Sequence, residues 1–273
     1  MITINNTVMN IKHFPDNTMI MLDLKIPLTS HKCPIEIVWQ YENSEEQLWL
    51  YYFVNFIKDN CNYRYNKLHL ILPYLPNARM DRTKNENDVH VLKYFCKFIN
   101  DLNFETVVCF DIHSSVGSSM LNNLKHIMPI ETIRKVINKC KPDFVFYPDE
   151  GAMKRYSDLI KFSYLYGMKK RNWEDGKIVG VEIINPSNES IVGKKILIID
   201  DITSYGGTFY YAGKALKNEM VGDIYLYVTH CENSVMDEEK GLLNKEDNPI
   251  IKIFTTNSLN VNNNSSIEQL SIL

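Results

Sequence analysis

Along this chain, short and nearly continuous apolar runs alternate with longer stretches in which apolar residues return every three or four positions. The first run, Ile35 to Trp39, reads as a strand, and Ser44-Glu45-Glu46-Gln47 has the form of a capping box opening an apolar helix to about Lys58. Leu68 to Leu72 is a second buried strand, ended by Pro73 and Pro76. Val91, Tyr94, Phe95, Phe98 and Leu102 then recur at helical spacing, and Thr106 to Ile112 is a third buried strand. The layout returns at Phe144 to Tyr147 and at Lys195 to Ile199, each followed by Asp and Gly residues and a helix-like stretch. Ile224 to Val228 and Ile251 to Phe254 complete the strand set. Alternating buried strands and helices predict an α/β protein with a doubly wound, mainly parallel sheet in each half. The boundary is expected near Met128-Pro129, giving domains 1–128 and 129–256. The Asn- and Ser-rich segment Asn257 to Ser266 reads as a surface loop before a last short element at Ile267 to Leu273, and this tail, 257–273, is expected to pack on the N-terminal domain.

A length of 273 residues suits two domains of ordinary size, each with its own core. With 45% hydrophobic and 23% charged residues the composition is that of a globular protein, and a formal charge of -3 supplies no broad basic field for gripping nucleic acid. Phosphate binding must therefore be local. The six cysteines, Cys33, Cys61, Cys96, Cys109, Cys140 and Cys231, form no close pairs, which argues against a zinc site or disulfide framework and fits buried thiols in a reducing compartment. The longest apolar run, Leu48 to Ile57, is too short to span a bilayer, and the first residues lack a signal-peptide layout. The expected location is the cytoplasm, that of the host if the Asn-, Lys-, Ile- and Tyr-rich composition reflects an AT-rich viral genome.

The sharpest chemical signal lies at Ile196 to Thr208, where a buried strand ends in Asp200-Asp201 and passes through Ile202-Thr203-Ser204-Tyr205 to Gly206-Gly207-Thr208. Ligands of such sheets bind beyond the carboxyl ends of the strands; glycines admit backbone amides to phosphate oxygens, and the following helix adds its positive end. Two adjacent carboxylates can hold two vicinal ribose hydroxyls.

This segment resembles the sugar-phosphate loop shared by phosphoribosyltransferases and ribose-phosphate pyrophosphokinases. Leu72 to Arg82 resembles the pyrophosphokinase ATP loop, which the transferases lack, and Cys109-Phe110-Asp111-Ile112-His113-Ser114 resembles its metal-binding strand end. Phe146 to Arg155 matches the family's Pro-Asp-x-Gly segment, Met168-Lys169-Lys170-Arg171 falls where the family has its basic catalytic loop, and Thr229-His230 also fits. The resemblance runs through roughly residues 14 to 256. It implies two phosphoribosyltransferase-like domains and movement of the terminal pyrophosphate of ATP to an anomeric hydroxyl. Arg79, Lys169 and Arg171 would stabilise charge during transfer; Arg79, Asp81 and Arg82, with Phe14 and Asp16 reaching from a neighbouring subunit, would bind ATP. Asp200, Asp201, Thr203, Ser204, Tyr205, Gly206, Gly207 and Thr208 would bind the sugar phosphate, and His113 and Asp149 would hold Mg²⁺. A homodimer is then the smallest active unit, and neither nucleic acid nor membrane is a partner.

Where the family has Asp-Thr before its two glycines, this chain has Ser204-Tyr205. Losing a carboxylate and gaining a ring beside the 5-phosphate points to a changed acceptor with unchanged chemistry, ADP-ribose being favoured slightly over ribose 5-phosphate, with a role in NAD metabolism. Two alternatives stay open: a phosphoribosyltransferase, and a non-catalytic regulatory homologue.

Overall fold

A computed structural model describes residues 1–21, 34–60, 67–171 and 178–273, without the side chains of 169–171 and 178–180. It contains two compact units, Met1–Met128 and Pro129–Leu273.

The first unit runs β1 (Ile2–Ile4), β2 (Thr7–Val8), β3 (Lys12–His13), β4 (Met19–Ile20), β5 (Ile35–Trp39), α1 (Glu46–Asn60), β6 (Leu68–Leu72), α2 (Val91–Asp101), β7 (Thr106–Phe110), α3 (Ser115–Met120) and β8 (Leu124–Ile127). Its main sheet has the order β2-β1-β5-β6-β7-β8, parallel from β5 to β8 and antiparallel at β1 and β2, while β3 and β4 form a separate hairpin. Ile35, Ile37 and Trp39 alternate into the core with Leu68, Leu70 and Leu72, and each such aliphatic side chain contributes roughly 1.5–3 kcal/mol. The α2 helix forms as its spacing predicts, but turned on its axis: Leu92, Phe95, Cys96 and Ile99 are buried, whereas Val91 and Tyr94 are exposed. At the start of α1, Glu46 is fully buried and its carboxylate accepts hydrogen bonds from Trp39 Nε1 at 2.9 Å and the Glu42 amide at 2.8 Å. This acid ties the helix start to β5.

The second unit runs α4 (Ile130–Cys140), β9 (Phe144–Tyr147), α5 (Glu150–Ile160), β10 (Tyr164–Arg171), β11 (Ile178–Ile184), β12 (Ile196–Thr203), α6 (Gly207–Asn218), β13 (Ile224–Cys231), β14 (Lys252–Thr256) and β15 (Ile267–Leu270), with 3₁₀ turns at Asn233–Met236 and Leu242–Asn244. The seven strands lie in the order β11-β10-β9-β12-β13-β14-β15, parallel except for β11. Ile196 to Ile199 at the middle of this sheet are fully buried, as a strand covered on both faces requires.

The tail departs from expectation. Residues 257–273 belong to the second unit, where β15 pairs with β14 from Ile253↔Ile267 to Thr256↔Leu270 and Glu268 bridges Lys252, at 2.9 Å, and Lys139. Without β15, β14 would expose a row of unpaired backbone groups, a cost that pairing removes. The polar segment before it is also not wholly surface, since Ser258, Leu259 and Val261 are buried. Cys96, Cys109, Cys140 and Cys231 are free and buried, and burial pushes the Cys96 and Cys140 thiols up to about 11, which leaves them inert at neutral pH. Cys33 and Cys61 lie outside the described residues.

Candidate functional site

The acids at the end of β12 are positioned by the strand's pairing with β13 on one side and β9 on the other. Asp201 is 2% exposed and forms an ion pair with Arg155 Nη1 of α5 at 3.0 Å. The Arg155 guanidinium also lies 5.7 Å from the centroid of the Tyr156 ring. Asp200 is half-buried, and its Oδ1 accepts the Asp201 backbone N–H at 2.9 Å. Desolvation raises its carboxyl well above the usual carboxylate range, the Asp201 charge raises it further, and Asp149 adds to the effect. One acid of the pair is thus charge-compensated within the protein. The other is left under electrostatic load, ready for hydroxyl donors or a cation. Arg155 stands inside the segment Phe146 to Arg155 but carried no assigned task; its signal was a basic residue on the helix that follows a strand ending in an acid.

The turn after Thr203 is built around Gly206, whose φ of +80° lies in the left-handed region. A Cβ there would come within 2.6 Å of Leu242 Cβ, so both conformation and space demand glycine. Leu242 also donates its amide to the Tyr205 carbonyl at 2.9 Å, and the Ser204 hydroxyl lies 3.0 Å from that of Ser234, which in turn donates to Glu232 Oε2 at 3.3 Å. Gly207 and Thr208 are exposed in the first turn of α6, where helical amides have no intrahelical partner and favour an anion. Tyr205 is 44% exposed, whereas Thr203 is 1% exposed with its hydroxyl directed to the Ser204 carbonyl at 3.4 Å. Asp149 sits at the end of β9 as the N-cap of α5, its Oδ1 accepting the Ala152 amide at 3.0 Å. The second unit therefore brings Asp149, Asp200, Asp201 and the loop 203–208 together.

Lys169 and Arg171 correct an expectation. Instead of a loop, their backbone continues β10, with Lys169 opposite Val181 and Arg171 opposite Ile178 of β11, and the register shifts between Lys170 and Arg171. An antiparallel partner satisfies the backbone that a loop would leave open. Their side chains lie outside the described residues.

In the first unit, Arg79, Asp81 and Arg82 lie on the turn after β6; Arg79 and Arg82 are exposed, and Arg82 Nε reaches Asp81 Oδ1 at 3.2 Å. His113 follows the neighbouring strand β7 and is half-buried. Before it, Asp111 is fully buried at a φ of 42°, a strained conformation for a non-glycine residue. After it, the buried Ser114 hydroxyl has no hydrogen-bond partner among the described residues. Phe14, 53% exposed, stands at the tip of the β3–β4 hairpin, closed by Asp16, whose Oδ1 accepts the Thr18 amide at 2.9 Å and hydroxyl at 2.7 Å. Those two bonds hold the Asp16 carboxyl below the usual range. Among the described residues, no three His, Cys, Asp or Glu side chains are grouped to hold a metal alone, and no helix is long and apolar enough to cross a membrane.

The chain thus has two mainly parallel α/β units, one carrying paired acids and a glycine-opened helix at the end of its central strand. The chain is 28% identical over 169 residues to the ribose-phosphate pyrophosphokinase of Pyrococcus abyssi, covering 61% of this chain and 58% of that protein. To that of Sulfurisphaera tokodaii it is 31% identical over 156 residues, covering 55% and 52%. The matched region thus spans little more than half the length of these relatives. A crystal structure of phosphoribosylpyrophosphate synthetase from Mycobacterium smegmatis superposes with a TM-score of 0.77 at 16% identity, covering 97% of this chain and 86% of that one, which establishes the shared fold. No family model matches the sequence. In sequence the chain is therefore similar to ribose-phosphate pyrophosphokinases over little more than half its length, and its fold is that of a phosphoribosylpyrophosphate synthetase.

Proposed function

We propose that the protein transfers the β,γ-pyrophosphoryl group of ATP to the anomeric hydroxyl of a 5-phosphorylated ribose and releases AMP. The anomeric oxygen forms a bond to the β-phosphorus, the bond from that phosphorus to the α–β bridging oxygen breaks, and the hydroxyl proton leaves to solvent. The observation that carries this reading is the second unit's acid pair beside a left-handed glycine and an open helix start. Asp200 suits a ring hydroxyl, whereas Asp201, expected from the sequence to share that task, is buried against Arg155 and acts beneath it, and Gly206, Gly207 and Thr208 suit the 5-phosphate. Arg79, Lys169 and Arg171 supply positive charge for the phosphoryl oxygens in transfer, and Arg82 with Asp81 borders the ATP loop.

The donor set fits Mg²⁺, a hard ion that takes oxygen ligands and keeps several waters. Asp149 has one oxygen committed to its helix cap, and a divalent charge nearby would relieve the desolvation and the neighbouring carboxylates that raise Asp200. His113, with the unsatisfied Ser114 hydroxyl beside it, is the candidate in the first unit. When bound, the ion neutralises the phosphates of ATP. The exposed Phe14 hairpin suits stacking on the adenine of ATP held by a second copy, which would make a dimer the active unit.

For the acceptor, Ser204 and Tyr205 favour ADP-ribose over ribose 5-phosphate. The 5-phosphate of ADP-ribose carries one charge where a monoester carries up to two, and it needs an open exit for the attached nucleotide. The exposed Tyr205 ring borders such an exit. Incubation with ATP, Mg²⁺ and each acceptor at equal low concentration tests this by AMP release and product mass. ADP-ribose carrying a 1-pyrophosphate is the expected product, and turnover of ribose 5-phosphate alone would return the protein to the ordinary acceptor. His113→Ala should weaken use of Mg²⁺-ATP, and an unchanged Mg²⁺ dependence would remove that histidine as a ligand.

A further inference from the structure

The segment between β13 and β14 forms a strap over the sugar-phosphate loop. It meets that loop at three points already described: Ser234 against Ser204, the Leu242 amide on the Tyr205 carbonyl, and the Leu242 side chain beneath Gly206. Internally the strap is held tightly. Asp237 Oδ1 accepts the amides of Glu239 at 3.1 Å and Lys240 at 2.8 Å, and Asn244 Nδ2 donates to the carbonyls of Met236 at 2.8 Å and Asp237 at 3.1 Å. At Gly241 a Cβ would lie 2.5 Å from the Asp237 nitrogen and 2.6 Å from the Val235 oxygen, so the backbone closes around a position open only to glycine. Val235 and Leu242 anchor both ends in the core. From this rigid turn Lys240 projects into solvent with its ammonium 6.0 Å from the centroid of the exposed Tyr205 ring, and it is in no ion pair among the described residues.

We propose that the strap is an acceptor-specificity element, in which Lys240 binds the phosphate lying beyond the acceptor's 5-phosphate and Tyr205 carries the aromatic base attached to it. This rests on the acceptor reading above and names the residues that would enforce it. The amides at the start of α6 can serve one phosphate, whereas a diphosphate ester brings a second charge outside their reach, because the helix-end field fades within a turn. A cation set beside an aromatic face by a fixed turn, on the open side of the loop, matches that second charge and the base that follows it. Ribose 5-phosphate has neither group.

Isothermal titration of wild type, Lys240→Ala and Tyr205→Thr with ADP-ribose and with ribose 5-phosphate, together with AMP-release kinetics, tests the proposal. Lys240→Ala should weaken ADP-ribose by about tenfold, as expected for losing a charged contact, and raise its KM rather than lower kcat. Binding of ribose 5-phosphate should change by less than about twofold in the same variant. Equal losses for both ligands, or none for ADP-ribose, overturn the subsite even if transfer to ADP-ribose is observed. A wild-type enzyme that binds and uses only ribose 5-phosphate overturns the acceptor reading and the subsite together. If no AMP is released with either acceptor but ADP-ribose binding still depends on Lys240, the subsite stands and the transfer chemistry falls.

Discussion

The two units place their candidate site residues on equivalent ground, beyond the carboxyl end of a buried parallel strand, yet they hold them in opposite ways. After β6, Arg79 and Arg82 stand exposed on a turn, and the Arg82–Asp81 pair joins sequence neighbours with the arginine side chain 84% exposed. After β12, Asp201 is sealed by Arg155, Gly206 is wedged on Leu242, and Ser204 is hydrogen-bonded to a distant segment. The first loop presents its charged side chains to solvent. The second is pre-organised, so that little ordering cost would remain on binding the proposed acceptor.

The contrast can be broken most forcefully at its two ion pairs. Arg155→Met removes the arginine from a buried carboxylate and should destabilise the protein by about 3 kcal/mol, whereas Arg82→Ala should change stability by less than about 0.5 kcal/mol. Urea unfolding of both variants checks this, and similar midpoints would mean that the second loop is no more locked than the first. Next in size is the transfer step. Lys169→Ala and Arg171→Ala should each lower kcat by roughly a hundredfold with the fold intact by circular dichroism, and near wild-type turnover in both would take this strand end out of the mechanism.

Gly206→Ala sharpens the comparison at the glycine itself. The left-handed backbone costs about 1–2 kcal/mol for a residue with a Cβ, and the contact with Leu242 adds to it, so acceptor affinity should fall about tenfold or more while the ATP binding proposed for the first unit is retained. Equal loss of both affinities would point to general unfolding. Smallest is an effect of opposite sign. Because the folded protein raises Asp200, its protonated form is favoured, and this favourable contribution is lost as pH climbs from the unfolded value near 3.8 through the raised folded value. Asp200→Asn should therefore melt about 2–4 °C above wild type at pH 7, with the gap closing below pH 4, while acceptor binding is lost. A lower melting temperature at pH 7 would show that the acid pair is not under load.

Much of this was legible from the chain because buried strands between helices must be apolar on both faces, which marks Leu68 to Leu72 and Ile196 to Ile199 without reference to any partner. The acids and glycines at the end of β12 were equally visible, since a strand end, a left-handed turn and a helix start are local events governed by adjacent residues. Local pattern misdirected where a residue's partner is remote. Glu46 looked like part of a capping box and instead bonds Trp39 and Glu42, and the basic run at Lys169 looked like a loop until β11 paired with it.

The buried central strands, the region of the boundary and the place of the acids and glycines at the end of β12 were legible from sequence alone, through apolar periodicity and the special backbone of glycine, whereas β1–β4, β8, β10 and β11 were not. Only the tertiary structure decided that β15 covers the edge of β14, that Arg155 compensates Asp201 and that the strap brings Lys240 to Tyr205. Each of these is a pairing between segments far apart along the chain. Such contacts satisfy backbone groups, charges and rings in space, and they leave no period in the sequence from which to read them.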